Sequence, residues 1–151
     1  MDKRKISIFF GTETGNAQEL AEKSAEILNS KNHETRVSNL EDTSPSDLGD
    51  TEFALFFVST WGEGDPPLDA EDFFESLKNH DSNLNNLRYG IMGLGDSSYA
   101  IFNGFARDLD NELGKLGAIR LVDRVEADLD FENDFEEFIE KMTDVFKTND
   151  H

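Results

Sequence analysis

The 151-residue chain contains no cysteine, which excludes disulfide bonds, thiol chemistry and metals held by thiolates. It also contains no run of about 18 apolar residues, the length that a membrane-spanning helix needs. The N-terminal sequence MDKRKISIFFG begins with basic residues, but its apolar stretch of about five residues is too short for a signal peptide. The lack of a membrane span and of a signal peptide predicts a cytoplasmic protein that does not enter a membrane.

Positive charge is scarce: 14 Lys and Arg residues face 33 Asp and Glu residues, which gives a formal net charge of −19 at pH 7. Such a chain repels nucleic acid and anionic lipid, so we exclude both as partners. The charge serves either solubility alone or the electrostatic steering of a basic partner protein. Hydrophobic residues still make up 36% of the chain, with 13 phenylalanines, which is enough for the core of a folded domain.

Apolar patterning predicts alternating strands and helices in one domain spanning residues 1–151, because no repeat or low-complexity linker divides the chain. The run FALFFV at 53–58 is apolar throughout, as in a strand buried on both faces, whereas 35–40 alternates as in an edge strand. Asn16 and Glu19 resemble a capping box at the start of the first helix. Strands are predicted at 6–10, 35–40, 53–58, 89–94 and 119–122, with the main helices at 16–30, around 102–116 and around 135–146.

This order of elements predicts an α/β fold, a three-layer sandwich with helices on both faces of a five-stranded parallel sheet. Right-handed crossovers, a polar edge strand and an apolar central strand are all satisfied by the strand order 2-1-3-4-5. Ligands of such sheets lie beyond the carboxyl ends of the strands, where the winding direction changes. A binding site is therefore expected in the loops after strands 1 and 3.

The loop GTETGNA, residues 11–17, has the composition of an anion-binding turn. Its glycines permit tight turns, Thr12, Thr14 and Asn16 offer hydroxyl and amide donors, and the following helix adds free backbone N–H groups. Glu13 can point outward while its own N–H points inward. Each hydrogen bond to a charged group contributes about 1.5–3 kcal/mol, so this loop can hold a phosphate without a lysine. The alternative is an ordinary turn between a strand and a helix; a nucleotide P-loop is excluded because Gly-Lys-Ser/Thr is absent.

The second and third loops of this edge carry aromatic residues, and a fourth segment carries an acid. The single tryptophan, Trp61, lies in STWGEGDPP, where its ring either stacks on a flat ligand or packs beneath its own loop. Tyr99 lies in GLGDSSYAIFN, whose residues 96–98 also suit the cap of the next helix. Asp128, in RVEADLDFEN, is either a binding carboxylate or one of many solvated acids. A phosphate cradle beside two aromatic rings fits a phosphorylated flat heterocycle, and FMN is the simplest such ligand.

The segments TETGNA, STWGEGDPP, GLGDSSYAIFN and RVEADLDFE occur in the order and spacing of the FMN-binding domain of diflavin reductases, especially sulfite reductase flavoprotein and cytochrome reductase. The chain is also similar to short-chain flavodoxins. The resemblance covers about residues 5–147 and implies a flavodoxin-like fold with FMN at the switch between strands 1 and 3, its known position in sheets of this order. Trp61 is a departure, since many diflavin reductases carry another residue there.

The resemblance also implies a role for each matching residue. The first loop binds the phosphate, the second and third flank the isoalloxazine ring, Tyr99 stacks on that ring, and Asp128 lies near the ring or the ribityl chain. The cofactor-binding residues implied in this way are Thr12, Glu13, Thr14, Gly15, Asn16, Ala17, Ser59, Thr60, Trp61, Gly62, Leu94, Gly95, Asp96, Ser97, Ser98, Tyr99, Phe102, Asn103 and Asp128.

Proteins of this kind carry single electrons, and the resemblance implies that FMN cycles between semiquinone and hydroquinone. It implies a flavin reductase as donor and a haem protein, an iron–sulfur protein or another reductase as acceptor. These basic partners would dock transiently on the acidic face of a monomer. An electron carrier is thus favoured over a stand-alone enzyme. The alternatives are an FMN-dependent quinone reductase and an FMN domain excised from a diflavin reductase.

Other chemistries lack the residues that they need. A catalytic triad cannot be assembled, because cysteine is absent and His33, His80 and His151 lie in polar sequence and are expected at the surface. A phosphoacceptor receiver domain of the same fold is rejected, since the acids that it needs after strands 1 and 3 are missing. No catalytic or metal-binding residue is predicted.

Overall fold

The computed structural model describes residues 4–11, 15–60, 66–80, 83–95, 103–128 and 130–148, with side chains up to residue 146. Within these residues the chain forms a six-stranded sheet and a set of helices. The strands are β1 (Lys5–Gly11), β2 (Glu34–Asn39), β3 (Phe53–Ser59), β4 (Arg88–Leu94), β5 (Ile119–Arg120) and β6 (Val125–Ala127). The α-helices are α1 (Asn16–Ser30), α2 (Pro45–Gly49), α3 (Glu71–Lys78), α4 (Gly104–Lys115) and α5 (Glu132–Thr148), and short 3-10 helices span Leu40–Asp42 and Leu68–Ala70.

The strand order β2-β1-β3-β4-β5 is confirmed, and the strands pair in parallel. Every residue of β3 is buried, as its unbroken apolar sequence predicts for a central strand. The residues of β2 are at most half-buried, which fits the edge position expected from its alternating pattern. Hydrophobic patterning together with right-handed crossovers was thus sufficient to order the sheet.

The last strand differs from the prediction, because two short strands replace the single one expected at 119–122. β5 pairs with Arg88 and Tyr89 of β4, and β6 pairs further along β4, so both continue the same edge of the sheet. The chain leaves the ladder between them. This interruption allows Arg120 and Arg124, on either side of it, to place a guanidinium nitrogen 2.6 Å from the same carboxylate oxygen of Asp110.

Helices cover both faces of the sheet, as predicted. α1 and α5 pack on one face, where the ring of Phe57 meets that of Phe138 edge-on at 5.7 Å. α3 and α4 pack on the other face, where Phe9 stacks on Phe56 at 5.2 Å. The segment 40–49 was not predicted to be helical, yet it completes this second layer with fully buried leucines. Within the described residues, no helix has both the length and the apolar character of a membrane span.

Two local expectations were wrong. The first helix does not begin with a capping box, because its N-cap is Gly15 in the left-handed conformation (φ 91°, ψ −8°) and Asn16 is its first helical residue. His33 is not a surface residue, since only 8% of it is exposed. Its Nδ1 accepts a hydrogen bond from the backbone N–H of Arg4 at 3.1 Å, so the imidazole ties the first strand to the rest of the fold.

Candidate functional site

The site predicted from the sequence lies at the carboxyl edge of the sheet, where β1, β3, β4 and β6 end next to one another. Ser59 pairs with Leu94, and Leu94 pairs with Ala127. The ladder continues past the strand ends, since Thr60 N–H donates to Leu94 O at 3.1 Å and Gly95 N–H donates to Ala127 O at 2.9 Å. The loops singled out in the sequence therefore leave the sheet side by side.

The described part of the predicted phosphate loop is the start of α1. The left-handed Gly15 turns the chain into the helix, and Glu19 N–H closes the first helical turn on Gly15 O at 3.0 Å. Ala17 is fully buried, and Asn16 is exposed. The N-cap is a glycine, which has no side chain to cap the helix, and the N-terminus of a helix is a favourable position for an anion. Thr12, Glu13 and Thr14 lie outside the described residues.

The second loop is described only at its start. Ser59 is 9% exposed, and Thr60 is half-buried. The hydroxyl oxygen of Thr60 accepts a hydrogen bond from the backbone N–H of Phe105 at 3.1 Å, which connects this loop to the start of α4. Trp61 and Gly62 lie outside the described residues, so their predicted contacts with the ring remain predictions.

The third loop is described at both of its ends. Leu94 is buried, Gly95 is half-buried, and Asn103 is fully buried in a left-handed conformation (φ 54°, ψ 32°). Asn103 Nδ2 donates to the carbonyl of Ala127 at 3.0 Å, whereas its Oδ1 is buried without a hydrogen-bond partner. Asp128 follows β6 at the same edge and is half-buried. Asp96, Ser97, Ser98, Tyr99 and Phe102 lie outside the described residues.

A charged cluster behind β6 escaped the sequence analysis. Asp110 of α4 is 6% exposed and accepts hydrogen bonds from the Tyr89 hydroxyl at 2.5 Å and from Arg120 and Arg124 at 2.6 Å each. Burial alone would raise the pKa of Asp110, but these hydrogen bonds outweigh it and hold the pKa below its usual value. Arg124 also binds Glu126 of β6 at 2.9 Å. The sequence signal that could have revealed this cluster is Asp110 itself, an acid directly after Leu109 of the apolar stripe of α4.

The described residues fit a phosphorylated ligand at this edge. The N-terminus of α1, which opens with the left-handed Gly15, lies at this edge beside the strand ends where the second and third loops begin. A sequence model of the flavodoxin family matches residues 8–141. The chain belongs to the flavodoxin family. Members of this family bind FMN.

Several relatives of this flavodoxin-family chain are longer proteins that match it over one part of their length. It is 36% identical over 138 residues to the sulfite reductase (NADPH) flavoprotein alpha-component of Bacillus subtilis, a match that covers 91% of this chain and 23% of that protein. It is 35% identical over 144 residues to the same component of Vibrio cholerae, covering 95% of this chain and 24% of that protein. The chain thus spans about a quarter of the length of these relatives.

Solved flavodoxins match the fold over almost their whole length. The flavodoxin of Streptococcus pneumoniae TIGR4 superposes with a TM-score of 0.83 at 29% identity, covering 95% of this chain and 97% of that one. A short-chain flavodoxin associated with a bacterial microcompartment gives a TM-score of 0.79 at 26% identity, covering 95% and 99%. Within the described residues, no group of His, Cys, Asp and Glu side chains is arranged to hold a metal ion.

Proposed function

We propose that this chain binds FMN at the carboxyl edge of its sheet and serves as a one-electron carrier. The observation that carries the proposal is the start of α1, where the left-handed Gly15 turns the chain into a helix beside the switch between β1 and β3, a position at which the N-terminus of a helix favours an anion. Bound there, FMN would supply electron transfer in single steps. The chain would supply the fixed surroundings of the cofactor.

Residues 12–17 would hold the phosphate through backbone and hydroxyl donors. Residues 59–62 and 94–103 would flank the two sides of the ring, with Trp61 and Tyr99 as the stacking residues. Asp128 would lie near the ring or the ribityl chain. The close packing of the strand ends supports this assignment, because it brings the strands that lead into these segments to one edge.

Cofactor binding is tested by titrating the apoprotein with FMN and with riboflavin while flavin fluorescence is recorded. We expect FMN to bind at micromolar concentrations or below, and roughly 100-fold more tightly than riboflavin, because two charged hydrogen bonds to phosphate already account for that factor. Gly15→Ala should weaken FMN binding about tenfold, since alanine is strained at φ 91°. Gly49→Ala is the matched control, because an added Cβ there meets nothing within 4 Å. Equal affinity for FMN and riboflavin would contradict the proposed phosphate site.

The partners that we propose are basic redox proteins, a flavin reductase as donor and a haem protein, an iron–sulfur protein or another reductase as acceptor, which meet the chain as a cytoplasmic monomer. The support is the net charge of −19 together with Leu68, which is 71% exposed directly after the second loop. Acids at Glu71 and Asp72 follow it. An exposed apolar side chain followed by acids suits a transient complex whose rate depends on salt.

The identity to sulfite reductase flavoproteins favours a second candidate, the FMN module of a longer NADPH-dependent flavoprotein. Rapid-mixing kinetics with a separate flavin reductase distinguish the two. A free carrier is expected to be reduced in a second-order reaction that slows as ionic strength rises. Reduction that occurs only when NADPH- and FAD-binding modules are fused to the chain would favour the module.

A further inference from the structure

The start of α4 is capped in an unusual way. The N-cap residue of a helix commonly accepts a hydrogen bond from a backbone N–H in the first turn through its own side chain. Asn103 is the N-cap of α4 and a residue type well suited to this role, yet it makes no such bond. Thr60 of the second loop makes this bond instead, since its Oγ1 accepts a hydrogen bond from the N–H of Phe105 at 3.1 Å.

The side chain of Asn103 is thereby released for a different bond. Its Nδ2 donates to Ala127 O at 3.0 Å, and the same carbonyl accepts from Gly95 N–H at 2.9 Å. Gly95 and Asn103 are the two described ends of the third loop, so both ends are fixed on one oxygen atom. A Cβ on Gly95 would lie 3.1 Å from the Asn103 amide, which shows how closely the two ends approach.

Together these bonds connect all three loops on the predicted ring side. Thr60 joins the second loop to α4, and Asn103 joins α4 to the residue before Asp128. All of these contacts form between protein groups alone. Because loops whose ends are already cross-linked lose less conformational entropy when a ligand binds, such cross-links favour tight binding without touching the ligand.

We propose that Thr60 and Asn103 are positioning residues, whose side chains hold the three ring-side loops together before FMN arrives. This inference rests on the proposed function and changes the role of two residues expected to contact the cofactor. It predicts that loss of the acceptor atom at position 60 or of the donor atom at position 103 weakens FMN binding, because the loop ends are then no longer held together.

The decisive comparison is Thr60→Val against Thr60→Ser. Valine keeps the shape of threonine but removes the acceptor, whereas serine retains it. In the apoprotein, hydrogen exchange of the Phe105 amide should become about tenfold faster in Thr60→Val, as expected when a buried amide loses its partner, and stay close to wild type in Thr60→Ser. The FMN dissociation constant should rise about tenfold in Thr60→Val and be restored in Thr60→Ser.

Thr143→Val is the matched control, because it removes the hydroxyl that donates to Ile139 O at 2.7 Å in α5 and should leave the FMN dissociation constant unchanged. Asn103→Asp tests the other bond, since a carboxylate oxygen would face Ala127 O. It should accelerate exchange of the Gly95 amide and weaken FMN binding. Unchanged exchange of Phe105 in Thr60→Val would overturn the assignment of the cap. Wild-type FMN affinity despite accelerated exchange would overturn the positioning role.

The exchange measurement needs no flavin, so it separates this inference from the proposed function. A wild-type protein that fails to bind FMN would refute the proposed function, while the protection of Phe105 and Gly95 would still report on the cross-links. If Thr60→Val does not fold, the wild-type apoprotein decides the question. Rapid exchange of both amides in it would overturn the inference, and slow exchange would support it.

Discussion

Replacing Gly93 by alanine should distort the third loop from behind. Gly93 lies in β4, between Val58 of β3 and Glu126 of β6. A Cβ built on it would lie 2.5 Å from Asn103 Oδ1 and 2.6 Å from the Cβ of Ala106. Both distances are well below van der Waals contact, and neither neighbour has a flexible side chain that can move aside.

The expected cost follows from this geometry. Inserting one methyl group into a closely packed core typically lowers the free energy of unfolding by about 1–3 kcal/mol. We expect a value near 2 kcal/mol or above, because relief requires α4 to move away from the sheet. For a chain of this size, that is a fall of roughly 4–8 °C in melting temperature. The same movement carries Asn103 away from Ala127, so FMN binding should weaken as well.

Gly114→Ala in α4 is the matched control, and it should raise the free energy of unfolding rather than lower it. A Cβ on Gly114 meets nothing within 4 Å, and alanine in a helix is favoured over glycine by about 0.5–1 kcal/mol. Thermal and urea unfolding of both variants, together with FMN titration, provide the measurement. A Gly93→Ala protein as stable as wild type, with unchanged FMN affinity, would refute the claim that the amide of Asn103 is tightly enclosed.

Three further predictions follow from the same structure. Asp110→Asn should lower the free energy of unfolding at pH 7 by about 2 kcal/mol, which is below the usual cost of breaking a buried ion pair because both arginines are partly exposed. Since the pKa of Asp110 is lowered in the folded state, the difference between variant and wild type should persist above about pH 4 and vanish as pH falls further. Urea unfolding across pH provides the measurement. Burial, then the bond to Asp110, raises the pKa of Tyr89, so stability should fall above about pH 10, and Tyr89→Phe should flatten that decline. Leu68→Ser should slow electron transfer to a basic partner several-fold, whereas Ile119→Ser, exposed by 47% at the opposite end of the sheet, should not; equal rates in both variants would remove Leu68 from the docking surface.

The sheet was predictable because burial shows directly in the pattern of its strands. An apolar run such as 53–58 has no stable place except between two layers of helix, and the alternating 35–40 has none except at an edge. The segment 40–49 was missed because its buried leucines, Leu40 and Leu48, are too few to establish a helical period. The two arginines on either side of the interruption between β5 and β6 meet Asp110, 10 and 14 residues away along the chain, and no local pattern reveals this partner.

The sequence predicted which segments meet at the carboxyl edge of the sheet, but not how their side chains bond to one another. Thr60 and Asn103 carry polar groups at the edge where a ligand is expected, so the sequence suggests that both contact it. Their partners in the structure, Phe105 and Ala127, are protein backbone groups 45 and 24 residues away. A donor that serves a cofactor and one that serves a neighbouring loop have the same sequence signature, and only the fold distinguishes them.

Much of the chemistry proposed here belongs to the main chain, namely the amides at the start of α1 and the carbonyl of Ala127. Any residue type provides such groups, so they leave no motif of their own. What the sequence does display are the glycines that the backbone geometry requires: Gly15, because of its positive φ, and Gly93, because the Asn103 amide occupies the space of a side chain. For a site built in this way, substitutions at these glycines test the backbone geometry, which substitutions at the polar residues leave unchanged.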